Sequence, residues 1–217
     1  STVYDIFHDR QGNTWLATNG GVVKIGAGWQ PESGEALMRT LTTADGLPHN
    51  EVRCLLEDKD GHLWFGTREG LTRYTPSTTP TAVHIKQVVF ADQTLQRPKE
   101  VEVSAAAKRV VIHYNAPSFR TPPHQMQYLV KLEGRDSDWS LTKERSVALV
   151  NLKPGQYTFF VKAVDRDLNE SEPASVTLKV VPPFYKGAAF LVPTVGGGTL
   201  LLAFVARIEL AEIIAHF

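Results

Sequence analysis

The chain of 217 residues has a single cysteine and no net charge, its 23 Lys and Arg matching 23 Asp and Glu. Each shortage excludes something. One thiol, Cys54, cannot close an intramolecular disulfide or build a Cys-based zinc site. It lies in the apolar run "VRCLLE", where a buried core thiol is expected rather than a reactive one. A neutral chain without clustered Lys and Arg between aromatics has no reason to seek phosphate backbones, so no nucleic acid is expected as a partner. The seven histidines, at 8, 49, 62, 84, 113, 124 and 216, make neither H-x-x-x-H nor a metal-ligand cluster with nearby carboxylates. There is no G-x-S-x-G elbow, and "VGGGTLLL" lacks the Lys-Ser/Thr of a phosphate loop. "DKDG" begins like a calcium loop, yet Glu69 meets the twelfth place by count only and Trp64 and Phe65 fill ligand-side positions. No catalytic, cofactor-binding or metal-binding residue is assigned, and no cofactor is expected. The chain also opens, with "STVYDIF", directly on a strand-like pattern without initiator Met or signal peptide, and is expected to be a segment of a longer protein.

What is present is a repeat. "DRQGNTWLATNGGVVKI" (9–25) and "DKDGHLWFGTREGLTRY" (58–74) both fit D-x-x-G-x-x-W-x-[AG]-T-x-x-G. A shift of 49 residues aligns Asp9 with Asp58, Gly12 with Gly61, Trp15 with Trp64 and Thr18 with Thr67. A period near fifty is that of β-propeller blades. "VYDIFHD" and "VRCLLED" predict first strands, ended by turns that Asp and Gly serve, because Asp bonds its own backbone and Gly accepts positive φ. "TWLAT" and "LWFGT" predict second strands, and "VVKI" and "LTRY" third ones. "MRTLTT" (38–43) completes the first blade as a fourth strand; the second has no fourth before "TPSTTPT". Trp15 and Trp64 are expected to bury large areas between stacked blades, in core packing rather than ligand stacking, with Ala17 and Gly66 letting a neighbour approach.

"LTTADGLPHNEVRCLLEDKDGHLWFGTREGLTRY" closely resembles the two-component regulator propeller repeat, whose T-x-x-D-G-L-P phrase leads into the D-x-x-G-x-x-W strand pair. The match is specific over 41–75 and looser over 3–25. "GAGWQPESGEAL" (26–37) is longer than the usual blade link, leaving Trp29 as an exposed loop residue. Two blades cannot close a ring that needs about four to eight.

After the Pro/Thr-rich linker, seven strand patterns run without helical periodicity: "VHIKQVVF", "EVEVS", "RVVIHY", "MQYLVKLEG", "RSVALVN", "QYTFFVKAV" and "ASVTLKVV". They predict an immunoglobulin-like β-sandwich with no disulfide. In "QYTFFVKAV", Tyr157, Phe159, Val161 and Ala163 share one face. "YLVKLEGRDSDWS" and "VNLKPGQYTFFVKAVDRDLNESEPASVTLKVVPPFY" resemble the three-tyrosine domain that follows such propellers in bacterial sensors. The phrases L-E-G-x-D-x-x-W (Leu132, Gly134, Trp139) and L-x-P-G-x-Y (Pro154, Gly155, Tyr157) carry that resemblance. Tyr128 and Tyr157 keep the family's aromatic positions, whereas Val130 and Val150 stand where it often has Tyr. Leu152 to Gly155 is read as a corner between strands, with Tyr157 packing back into the sandwich.

Residues 187–206, "GAAFLVPTVGGGTLLLAFVA", carry no charge, and twenty residues in a helix span about 30 Å, the thickness of a bilayer core. The expected organisation is all-β: two blades of an incomplete propeller (1–75), a linker (76–82), an immunoglobulin-like three-tyrosine domain (83–183), a transmembrane helix (184–207) and a juxtamembrane segment (208–217). The resemblance implies the periplasmic, signal-transmitting part of a single-pass inner-membrane sensor of the two-component type, without catalysis of its own. It further implies a homodimer in the full-length protein. A small-molecule or oligosaccharide ligand would be bound mainly by blades outside this chain. The alternative is a membrane-tethered carbohydrate- or surface-binding module with no signalling role.

Overall fold

A computed structural model describes residues 2–27 and 37–182. Trp29 and the 184–207 and 208–217 segments lie outside the described residues, and among those described no helix is long and apolar enough to cross a membrane. The described chain is all-β, as its alternating patterns predict, with four sheets.

The first blade is an antiparallel meander of β1 (Val3–His8), β2 (Thr14–Thr18), β3 (Gly21–Ile25) and β4 (Met38–Leu41). The second is β5 (Val52–Glu57), β6 (Leu63–Thr67) and β7 (Gly70–Tyr74). Between them a single 3-10 turn, Thr43–Asp45, explains the T-x-x-D-G phrase. Thr42 accepts from the Ala44 N–H, the Asp45 carboxylate accepts from the Thr42 N–H at 3.0 Å, and Gly46 ends the turn at φ 106°. Leu47 then drops into the core between the blades, with Trp15, Ala17, Val22, Val52 and Phe65.

The expectation of a buried Cys54 is wrong: the thiol is exposed. A bulge in β5 is the reason. Pairing shifts between Val52 and Cys54, so Val52 and Leu55 point inward and Cys54 and Leu56 outward. Strict alternation would have put Cys54 beside Val52. The small Gly66 across the ladder leaves space that the sulfur occupies.

The sandwich contains all seven expected strands and two short ones. One sheet runs β10 (Glu100–Ser104), β16 (Ala174–Val181), β15 (Gly155–Val164), β12 (Gln127–Glu133), β13 (Ser140–Thr142). The other runs β14 (Ser146–Val150), β11 (Arg109–Asn115), β8 (His84–Phe90), β9 (Gln93–Gln96). Val88, Ile112, Tyr128, Phe159, Val161 and Leu178 meet in the core. Each such side chain contributes about 1.5–3 kcal/mol on burial. Tyr128 stands edge-on to Tyr114 with ring centroids 4.9 Å apart, and Tyr114 stacks on Phe159 at 6.0 Å.

The corner at Leu152–Gly155 forms as expected. The half-buried Tyr157 donates its hydroxyl to the Lys153 carbonyl at 3.2 Å, the tie of a tyrosine corner. Gly134 follows β12 at φ 96°, where a Cβ would press on the Tyr157 ring at 3.1 Å. Leu132 is in the core, Pro154 and Gly155 are exposed, and Trp139 lies at the surface with the Lys162 ammonium 5.0 Å from its ring centre.

Candidate functional site

The repeat motif is a structural clamp. Asp9 Oδ1 accepts from the Asn13 N–H at 2.7 Å, closing the β1–β2 turn, while its Oδ2 accepts from the Trp15 indole at 2.8 Å. Asp58 repeats this, accepting from the His62 and Asp60 N–H groups at 2.9 Å and from the Trp64 indole at 2.8 Å. Thr18 and Thr67 each donate to the carbonyl of the Gly three residues on, at 2.8 Å. The sequence showed the turn and the Trp as separate signals; the acid–indole bond that makes them one unit comes from the geometry.

The two Trp residues part company in burial. Trp15 is fully buried against Phe65, at 5.7 Å, and Tyr74, at 6.0 Å. Trp64 is only half-buried, because its face of the second blade has no further blade on it among the described residues. The expectation that both bury large areas between stacked blades holds for Trp15 and is corrected for Trp64.

Blade contacts are polar as well as apolar. The Arg10 guanidinium donates to the Lys59 and Asp58 carbonyls at 3.0 Å, and the Leu55 N–H donates to Asp5 at 2.9 Å.

A second cluster, unforeseen from the sequence, joins the blades to the sandwich. Lys24 on β3 is buried, its ammonium 5.2 Å from the centre of the Trp15 ring, and it donates to the Asp167 carbonyl. Tyr74, the last residue of β7, donates its hydroxyl to the Asp167 carboxylate. Arg166 lies 5.8 Å from the Tyr74 ring centre. Asn169 donates to the Ser77 carbonyl at 2.8 Å, tying the linker to the same β15–β16 loop. Burial pushes the Lys24 ammonium below the usual lysine range, opposed by Asp167, Asp9 and Asp165. Burial, then the bond to Asp167, pushes the Tyr74 phenol up. Both directions mark a desolvated polar joint. A second contact reinforces it, where Arg39 of β4 donates to the Gln125 carbonyl at 3.4 Å and to Asp45 at 3.3 Å.

A cleft of about 370 Å³ opens beside this joint, walled by both blade turns (Gln11, Asp60), the linker (Ser77) and the sandwich loop (Asp167, Asn169). Asp60, which lines the cleft, forms with Asp58 and His62 a cluster whose side-chain ligand atoms lie within 4.8 Å of one another. This corrects the reading that no histidine lies in a cluster with carboxylates: the hairpin folds positions two apart onto one side. Asp58 spends its oxygens on the turn and on Trp64, so the geometry serves the hairpin first.

The Trp64 indole, followed by the His62 and Asp60 N–H groups and the His62 ring, holds the Asp58 carboxyl well below the usual carboxylate range, against the opposing effect of burial. A depressed acid stabilises the fold above its unfolded value of about 4 and loses that contribution as pH falls through its folded value. The wild-type urea midpoint, followed by Trp fluorescence, is therefore expected to fall from pH 5 to pH 3. In Asp58→Asn the fall should be shallower, and an unchanged slope would move its origin elsewhere.

The fold defined here, propeller blades clamped to a two-sheet β-sandwich, can be set beside known families. The profile of the two component regulator propeller matches residues 1–20 and 46–69, and that of the Y_Y_Y domain matches residues 121–181. Both matches fall on the stretches whose motifs resemble these two families. It is 21% identical over its whole length to histidine kinase P4 of Formosa agariphila and spans 17% of that protein. The extracellular domain of a protein described as a hybrid two component system of B. thetaiotaomicron shares the fold. Its TM-score is 0.53 at 21% identity, over 83% of this chain and 26% of that one. Another extracellular domain from the same organism aligns at 15% identity with a TM-score of 0.43, over 85% of this chain and 37% of that one.

Proposed function

We propose that this chain is the extracytoplasmic, ligand-sensing and signal-transmitting part of a membrane-anchored sensor of the two-component type, with no catalysis in this segment. The single observation that carries the reading is the route of β16. At one end this strand follows the Asp165–Ser171 loop, which holds Lys24, Tyr74 and Ser77 of the blades and linker. At the other it ends at Val181 and enters Pro182-Pro183. Its eight residues reach about 26 Å. A shift of the propeller is thus handed by a buried polar joint to one hydrogen-bonded strand, and by two stiff prolines to the apolar 184–207 segment.

That segment acts as the membrane span of a single-pass inner-membrane protein, with the blades and sandwich in the periplasm. The family matches, and relatives described as the extracellular domain of a hybrid two component system and as a histidine kinase, support this placement. The ligand is a small molecule or oligosaccharide bound mainly by blades outside this chain, and a homodimer of the full-length protein is the bistable element that it biases.

In the full-length protein, a flexible Gly/Ser segment inserted between Val181 and Phe184 is expected to leave ligand binding unchanged and abolish output. A full-strength response would refute rigid transmission. A full-length sequence with no output module beyond the span would favour the alternative, a tethered carbohydrate- or surface-binding module.

A further inference from the structure

The zero net charge of the chain hides a local excess of one sign. On the sandwich, a cleft of about 490 Å³ is lined by His84, Lys86, Arg97 and Lys99, with Asn115 and Ser175 as neutral polar groups. No acidic side chain lines it. Among the described residues Lys86, Arg97 and Lys99 make no ion pair, and Glu100, next to Lys99, is held by Lys179.

The cleft exists because the chain changes sheets there. β9 pairs with β8 as far as Gln96, and Arg97–Lys99 then crosses to the other sheet, where the Thr177 N–H donates to the Lys99 carbonyl at 3.0 Å. The start of β8 is left without a strand on that side, and the cleft opens between it and Ala174–Ser175 at the start of β16. Alternation puts His84 and Lys86 together on the exposed side of β8. Arg97 holds φ 47°, a left-handed conformation that glycine adopts at no steric cost. Strain at a charged residue on a cleft wall points to a role beyond folding.

We propose that this cleft binds a small polyanion carrying two or more carboxylate or phosphate groups. Lys86, Arg97 and Lys99 place like charges around one space, and a negative ligand relieves their repulsion as it binds. The planar Arg97 fork takes carboxylate or phosphate oxygens two at a time, while the lysines add point charges. The volume falls among sites of about 300–1,000 Å³ that hold small ligands. No aromatic side chain lines the cleft, so a nucleobase has no platform to stack on. About 20 Å of β16 separates Ser175 from Val181, so the cleft is remote from any lipid headgroup met beyond Val181. This inference does not rest on the sensor reading.

The test is calorimetric titration of the whole chain, in nonionic detergent and metal-free buffer near neutral pH, with citrate and, separately, pyrophosphate. Sodium chloride of equal ionic strength corrects for general screening. Saturable binding of at least one probe, with a Kd below about 1 mM, is expected. Citrate alone would assign the site to carboxylates, pyrophosphate alone to phosphates, and both to either anion. Arg97→Gln should weaken binding about tenfold, and Arg97→Gln with Lys99→Gln about a hundredfold. Lys143→Gln, an exposed base that does not line the cleft, should bind as wild type does. All three positions are exposed, so unchanged thermal midpoints are expected without probe; if Arg97→Gln lowers its midpoint, Lys86→Gln replaces it. Neither probe binding beyond the chloride control would overturn the proposal. So would wild-type affinity in the double variant, or an equal loss in Lys143→Gln, which would mean diffuse attraction and no site.

Discussion

Trp15→Ala is expected to destabilise the blades by about 3–5 kcal/mol, and Trp64→Ala by only about 1–2 kcal/mol. The two residues share motif, strand position and a 2.8 Å indole–Asp hydrogen bond, so local chemistry predicts equal costs. What differs is the neighbour. Trp15 is closed in by Phe65 and Tyr74, and its loss opens a cavity in packed surroundings while leaving the buried Asp9 without its indole donor. Trp64 lies on an open face where solvent fills the space, and the half-buried Asp58 can turn to water. Urea midpoints of the two variants measure the difference. Equal losses would mean that the acid–indole bond, and not packing between blades, holds the repeat together.

Asp167→Ala should uncouple the blades from the sandwich, at a cost of about 3 kcal/mol, the scale for breaking a buried polar pair. The substitution removes the acceptor of the Tyr74 hydroxyl and the carboxylate that does most to compensate the buried Lys24 ammonium. The backbone carbonyl that Lys24 also uses survives, so the joint loosens without losing all its bonds. In calorimetry the wild type is expected to unfold in one transition. The variant should show two, the sandwich keeping its midpoint because its core of Val88, Ile112, Phe159 and Leu178 is untouched. Asp138→Ala, at an exposed position, serves as control and should change nothing. A single unchanged transition in Asp167→Ala would remove the joint from any account of transmission.

Much of the molecule was written in local pattern, because strand alternation and turn chemistry act over a few residues. Thr14–Thr18 and Leu63–Thr67 fell on the expected strands, the first blade took Met38–Leu41 as its fourth, and all seven sandwich strands appeared in place. The corner before Tyr157 was legible for the same reason: Pro154-Gly155 and a Tyr two residues on form one local device. Tertiary structure decided whatever depended on a partner distant in sequence. Cys54 faces out because a bulge, a property of pairing, breaks the alternation that its own strand suggests. Trp15 and Trp64 diverge because packing on a neighbouring blade is not encoded in a repeat that both share. The joint of Lys24, Tyr74 and Asp167 links positions up to 143 residues apart, and each alone reads as an ordinary strand or loop residue. Only the docking of sandwich on propeller removes them from water, and desolvation turns three common side chains into a site.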